Sequence, residues 1–474
     1  MANSWNTKRI DEIAQVVDSR HKTPQYSDDG YPMVRVVDVK GGVLQLKDTK
    51  RVSDEVYADF SKGRDPEIGD LIISRVGSYG NVAYVNSSEK FCLGQNTALI
   101  IPEDKSRYLY YALTSPQIKA QIDEMVVGAV QKTISLKTIK SLQIPEPPSE
   151  VKTKISKVLS TIDDKIELNR QTNQTLEQMA QALFKSWFVD FDPVFDNALA
   201  SGMAVNDFPE ALQKKAEQRQ QVQQQIANGE LDAKPLPEDI QQLFPSEFEQ
   251  THVPSIGISG WVPKGWETSN LKSFGKVVTG KTPPKKIENA FADKGLPFIT
   301  PSDVDSDVFA LTIARHLSSE GVTSVKNNVI DQGSVCVTCI GSQMGKTVIA
   351  PYKSVTNQQL NSIVLAKQSY RNYVFMNLRL RREELFNLGS SGSTMPILNK
   401  SSFEGLNTLK PTELVLNEFS KVTEKLIDKI LLGSHQNEEL SKVRDTLLPK
   451  LISGELTLPA DNSKCTAATE AYPS

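Results

Sequence analysis

The chain has 474 residues, of which 39% are apolar and 23% charged, the make-up of an ordinary globular protein with two to four domains. No apolar run approaches the roughly 20 residues that span a bilayer, and the opening MANSWNTKRIDEI holds no apolar signal-peptide core. Four cysteines are too few for a disulfide framework, so a reducing, cytoplasmic location is expected. The net charge of −3 argues at first against nucleic acid, because phosphate contacts need Lys and Arg. The charge is unevenly spread, however. Residues 1–148 carry 19 basic and 19 acidic side chains, 149–260 carry 10 and 17, 261–412 carry 18 and 11, and 413–474 carry 7 and 10. One segment is basic by +7, which permits a DNA partner.

Residues 1–148 hold short β-type runs, LIISRV and NTALII among them, punctuated by Gly, Pro and Asn. A Pro-containing join, IPEPPSE, leads into a long helical segment over 149–191. Residues 192–260 are Gln-rich and Pro-punctuated, which predicts a short surface helix and an extended linker. Residues 261–412 return to β-type runs, SVCVTCI and NSIVLA, and LKPTE opens a second long helical segment over 413–458. The tail 459–474 is expected to be disordered.

This order repeats. A shift near 264 residues lays GYPMVRVVDV, from Gly30, on GLPFITPSDV, from Gly295, and GDLIISRVGSYG, from Gly69, on GSVCVTCIGSQMG, from Gly333. Gln95 falls on Gln358, Tyr108 on Tyr373, Gly128 on Gly392 and Leu142 on Leu406. Asp164-Lys165-Ile166 falls on Asp428-Lys429-Ile430, and the run from Asn173 on that from Asn437. Self-similarity at one offset over so long a stretch identifies a tandem duplication.

The two helical segments carry matching stripes. Ile162, Ile166, Asn169, Asn173, Leu176, Ala180, Leu183 and Trp187 step by fours and threes, as do Leu426, Ile430, Gly433, Asn437, Leu440, Leu447 and Leu451, with Arg444 interrupting the second. Each helix packing on its own domain would give this periodicity. So would the two packing on each other, with Asn173 and Asn437 setting register.

Chemistry-bearing motifs are thin. GSQMGKT, 341–347, is one residue short of a phosphate loop, and the VIAP that follows is strand-like, with no helix to aim at a phosphate. Cys336 and Cys339 form a lone CxxC inside a predicted strand, where alternation sends the side chains to opposite faces and no second pair completes a zinc site. His21, His252, His316 and His435 are scattered without a nucleophile motif. No metal site and no catalytic residue is assigned.

The ends of the helical segments are more telling. LFKSWFVDFDPV, from Leu183, and TLLPKLISGEL, from Thr446, closely resemble the conserved-region endings of type I restriction–modification specificity subunits, and LFPSEFE with GWVPKGWE resembles their lead-in to the second recognition domain. The resemblance implies an α+β fold: two mixed, β-rich target-recognition domains (1–148 and 261–412) in pseudo-twofold tandem repeat, joined by two long antiparallel coiled-coil-like helices. It implies a non-catalytic subunit that reads a bipartite, asymmetric DNA site, one domain per half-site. It further implies that the helices dock two methyltransferase subunits and two helicase-nuclease subunits. S-adenosylmethionine, ATP and Mg2+ would then be used by those partners, and none bound here. A duplicated adaptor that scaffolds partners without reading DNA is the alternative.

Contact residues must be argued from chemistry. The repeat-equivalent glycine loops allow close backbone approach, which nominates Arg75, Ser78, Tyr79 and Asn81 in the first copy and Ser342, Gln343 and Lys346 in the second. Amides suited to bidentate base contacts cluster at Gln95 and Asn96, and at Asn357, Gln358 and Gln359. Basic loops at Arg20, His21 and Lys22, and at Lys281, Lys285 and Lys286, suit phosphate positioning. Phe184, Phe188, Leu448 and Ile452 off the helical seam, together with Trp187 and Leu451 on it, are nominated as apolar surface for partner subunits.

Overall fold

A computed structural model describes residues 5–62, 64–126, 132–232, 234–305, 307–390 and 396–458. Gly128, Gly392 and the 459–474 tail lie outside these residues. The chain divides into two compact units. The first joins residues up to Leu168 with those from Asn437 onward, and the second runs from Asn169 to Gln436. The central helix, Ser149–Phe188, and the C-terminal helix, Glu413–Ser453, therefore each contribute one stretch to each unit.

In the first unit the two runs predicted as strands, LIISRV and NTALII, supply the central pair of a four-stranded antiparallel sheet. Its strands are β1 (Ala14–Asp18), β2 (Leu71–Ser74), β3 (Val82–Tyr84) and β4 (Thr97–Pro102), in the order β1-β4-β2-β3. The runs read as continuous apolar stretches because both faces are covered. Leu71, Ile73, Ala98 and Ile100 enter one core, while Ile72 and Leu99 enter another on the opposite face. A smaller sheet centres on Tyr31–Val34, antiparallel to Lys50–Val52 and parallel to Cys92–Leu93.

The second unit repeats the plan. Strands β5 (Gly275–Thr279), β6 (Val335–Thr338), β7 (Thr347–Ile349) and β8 (Leu360–Leu365) form a sheet in the order β5-β8-β6-β7. Leu296–Ile299 pairs parallel to Ser354–Thr356, as its counterpart pairs with Cys92–Leu93. Cys336 and Cys339 lie in different cores, as alternation requires, and burial pushes both thiols up to about 12. The duplication extends to single hydrogen bonds. The Ser74 hydroxyl donates to the Ser78 carbonyl as Thr338 does to Gln343, and the Tyr108 hydroxyl donates to the Pro145 carbonyl as Tyr373 does to Leu409.

Within the second unit the helices pack on each other, running antiparallel. Asn169 Nδ2 donates to Gln436 Oε1 at 3.3 Å, Asn173 Nδ2 donates to Ser434 Oγ at 3.0 Å, and Phe184 meets Phe419. Asn173 thus meets Ser434 beside Gly433. Within the first unit Arg444, which seemed to break the stripe, donates from Nη1 to Asp163 Oδ1 at 2.9 Å and so joins the two helices.

Two expectations are corrected by packing. Phe184, Trp187, Phe188, Leu448, Leu451 and Ile452 are all buried and leave no apolar surface for a partner. Phe188 packs edge-on against Tyr373 and Phe419 with centroids 4.9 Å apart, and Trp187 against Phe244 at 5.0 Å. Leu448, Leu451 and Ile452 share the first unit's core with Ile155 and Leu159. A heptad stripe accounts for one face of a helix, but here the helix ends are wrapped on several sides by their unit.

The second correction concerns residues 192–260, which do not form an extended linker. Helices Asp192–Ala200 and Glu210–Ala227 and the strand pair Phe248–Gln250 with Trp261–Pro263 build part of the second unit. Phe195, Phe208, Leu212, Ala216 and Phe244 enter its core, and Arg219 grips Asp196 with two hydrogen bonds of 3.0 and 2.7 Å. Gln and Pro dominate the composition, but the widely spaced aromatics decide the structure.

Candidate nucleic-acid interface

Strand register decides which loops meet. Asp18 pairs with Ala98, Ser74 with Thr97 and Ile73 with Val82, so the end of β1, the end of β2 and the starts of β3 and β4 share one end of the first sheet. The loops at that end are those around Arg20–Lys22, Arg75–Asn81 and Gln95–Asn96. In the second unit Thr279 pairs with Asn361, Thr338 with Leu360 and Val337 with Thr347. That places the loops around Lys281, Ser342–Lys346 and Asn357–Gln359 at the corresponding end. Members of three sets nominated separately thus come together in each unit on one polar rim, Lys281 standing for the basic set in the second.

Main-chain bonds stitch the loops into each rim. In the first unit the Arg75 N–H donates to the Asn96 carbonyl at 2.8 Å, and the Ile134 N–H donates to the Arg75 carbonyl at 2.9 Å. In the second, Cys339 donates to Gln359 at 2.7 Å and Leu398 to Cys339 at 2.9 Å. Gly80 and Gly345 turn their loops with φ of 74° and 84°, a conformation costly for any residue with a Cβ. Asn96 adopts φ 63° at the very position where a base-reading amide was expected.

The side chains sort into available and committed. His21, Lys22, Ser78, Lys281, Lys285, Lys286, Ser342, Gln343 and Gln358 are exposed. Gln358 accepts from Thr282 Oγ1 at 2.7 Å through Oε1, which aligns the amide and leaves its NH2 group to donate outward. Gln95, Asn96 and Gln359 are half-buried at the rim. Lys346 is half-buried, donates to the Val304 carbonyl at 3.3 Å and lies 3.9 Å from Asp305.

Others are engaged in building the rim. Arg75 is largely buried, donates from Nε to the Ile134 carbonyl at 3.2 Å and pairs through Nη1 with Asp18. Asn357 is buried, its Oδ1 accepting the Gln359 N–H at 3.0 Å. Tyr79 donates to Asp123 at 2.9 Å, and Asn81 Nδ2 donates to the Val39 carbonyl at 3.3 Å. Arg75 and Asn357 are therefore rim-building residues, not free contact groups. Gly80 and Gly345 mark equivalent turns in the two units, and the loops' own bonding engages these side chains.

Two carboxylates escaped the sequence reading. Asp18 binds His21 Nε2 at 2.8 Å as well as Arg75, and Asp59 gathers Arg20, Lys22 and Lys62. Asp59 lies 39 residues from Arg20 and belongs to a separate helix, Asp54–Phe60, so no local pattern announces it. Among the described residues no group of His, Cys, Asp and Glu is arranged to hold a metal ion, and no helix is long and apolar enough to cross a membrane.

The family model for the type I restriction modification DNA specificity domain matches residues 3–178 and 263–408. The chain belongs to the type I restriction–modification specificity subunits. The two matched stretches cover the two sheet-bearing copies and most of the central helix. The HindI specificity subunit of Haemophilus influenzae is 32% identical over 381 residues, covering 79% of this chain and 81% of its own. The MjaIX specificity subunit of Methanocaldococcus jannaschii is 24% identical, over 95% of this chain and 93% of its own. A solved specificity subunit from M. genitalium shares the fold at a TM-score of 0.52 with 14% identity, covering 95% of this chain and 96% of that one. Recognition of DNA sequence is the role that this family implies.

Proposed function

We propose that each of the two polar rims reads one half of a bipartite, asymmetric DNA site, and that the chain itself performs no catalysis. One observation carries the reading. The same set of loops recurs at the same sheet end in both units, yet equivalent positions carry different side chains, Arg75, Asn81 and Asn96 in one where Cys339, Lys346 and Gln359 stand in the other. A shared frame with divergent tips suits two readers of different sequences. Amides at the tips can address base edges, while the lysines around them position the backbone.

Methyl transfer and cleavage fall to partner subunits under this reading. Two methyltransferase subunits would supply S-adenosylmethionine chemistry, and two helicase-nuclease subunits would use ATP and Mg2+. Under this reading exposed apolar side chains of the C-terminal helix within the second unit, Leu414 and Leu432, are candidates for partner docking in place of the buried helix ends.

The test is binding by the chain assembled with its methyltransferase partners. Retention of duplexes carrying the host's methylated sequence over scrambled duplexes of equal length supports the reading. Equal retention of both, with the complex intact, supports the adaptor alternative.

A further inference from the structure

The cations nominated in the two units are held differently. In the first unit Arg20, Lys22 and Arg75 are each engaged by a carboxylate, and His21 shares a hydrogen bond with one. Asp18 takes His21 and Arg75. Asp59 accepts hydrogen bonds from Lys22 Nζ at 3.2 Å and Lys62 Nζ at 3.0 Å, and lies 3.5 Å from Arg20 Nη2, whose Nε also donates to the Asp59 carbonyl at 3.2 Å. Lys62 and Lys22 hold the Asp59 carboxyl below its ordinary range, so it stays charged at neutral pH. In the second unit Lys281, Lys285 and Lys286 are exposed and make no ion pair among the described residues. The segment charges agree, zero for 1–148 against +7 for 261–412.

Non-specific affinity for DNA grows with the number of phosphates neutralised, through release of counterions. A lysine already paired to a carboxylate must share itself with a phosphate, and the phosphate must approach a fixed negative charge. We propose that Asp59 acts as an electrostatic brake on indiscriminate phosphate binding by the first unit, leaving Lys281, Lys285 and Lys286 as the main non-specific grip on the DNA backbone. The inference rests on the DNA-reading function above. It assigns the two units unequal tasks: the second holds DNA of any sequence, and the first adds little until its bases match.

The experiment measures dissociation constants of the assembled complex for a scrambled duplex of about 30 base pairs between 50 and 200 mM salt. Asp59→Asn should bind this duplex more tightly and steepen the salt slope by up to about 0.9, an extra change of about 3.5-fold across that range. Asp59→Ala should do the same without the amide's own hydrogen bonds. Glu89→Gln makes an equal change in net charge beyond the far end of β3 and should leave binding near the wild type. Replacing Lys281, Lys285 and Lys286 with Gln should weaken binding and flatten the slope by up to about 2.7. The proposal is overturned if Asp59→Asn matches Glu89→Gln, or if the triple variant keeps the wild-type slope. A wild-type complex that holds no duplex at all would instead overturn the DNA-reading function on which it rests.

Discussion

Asn173 on the central helix stands over Gly433 on the C-terminal helix, so close that a Cβ at 433 would come within 2.6 Å of Asn173 Oδ1. The same Asn173 side chain donates to Ser434 Oγ at 3.0 Å and so cannot withdraw freely. Two effects oppose each other in Gly433→Ala. Helix propensity favours alanine by about 1 kcal/mol, while displacing Asn173 costs a hydrogen bond worth about 0.5–1.5 kcal/mol. The substitution should therefore be near neutral in the wild type and stabilising by about 0.5–1 kcal/mol in an Asn173→Ala background. Denaturant midpoints of the four chains check this, and strictly additive effects would show that the two residues do not meet.

The buried helix ends make a blunter prediction. Trp187→Ala should cost about 3–5 kcal/mol and Leu451→Ala about 2–5 kcal/mol, because each leaves a cavity in a packed core. The loss should appear in the isolated chain's thermal or chemical unfolding. Wild-type stability with selective loss of partner binding would mean that these side chains are surface after all.

Tyr108 and Tyr373 make a matched pair for pH. Burial raises both phenols above their ordinary value, with Glu146 adding to the effect at Tyr108, and each hydroxyl donates to a backbone carbonyl. A group raised on folding gives stability that is full below its unfolded value, about 10 for tyrosine, and lost as pH rises toward the folded one. Stability should thus fall above about pH 10. Tyr108→Phe and Tyr373→Phe should each lower stability at neutral pH by about 0.5–1.5 kcal/mol and flatten part of the alkaline decline. Unfolding curves between neutral and alkaline pH would show it.

Neighbouring amides in the second rim should separate by role. Gln358→Ala should leave stability unchanged and relax reading at one base of the second half-site, by about 1–3 kcal/mol of discrimination if the contact is bidentate. Asn357→Ala should destabilise the loop instead, since its Oδ1 satisfies the Gln359 N–H. Binding to duplexes substituted one base at a time, set beside melting curves, distinguishes the two outcomes.

What the sequence disclosed follows from what repeats. Gly69, Gly80, Tyr108 and their partners Gly333, Gly345 and Tyr373 occupy positions where backbone geometry or a buried hydroxyl admits few replacements, so an offset near 264 stood out and marked the paired glycine loops. The helix-end aromatics misled because a heptad stripe describes a pair of helices and says nothing of what wraps their ends. Phe195, Phe208 and Phe244 were hidden by the glutamines between them. Asp18 and Asp59 were illegible for a different reason. Asp59 reaches Arg20, Lys22 and Lys62 through tertiary packing of a short helix, and one acidic residue among many carries no mark of its partners.

The most direct test of two separate readers is an exchange of residues 1–148 for the corresponding segment of another specificity subunit, followed by mapping of methylated bases in the DNA of a host carrying the hybrid. One half of the methylated site should change to the donor's sequence while the other half, read by the second unit, stays as in the parent. A hybrid that assembles and methylates but alters both halves together, or neither, would contradict the account.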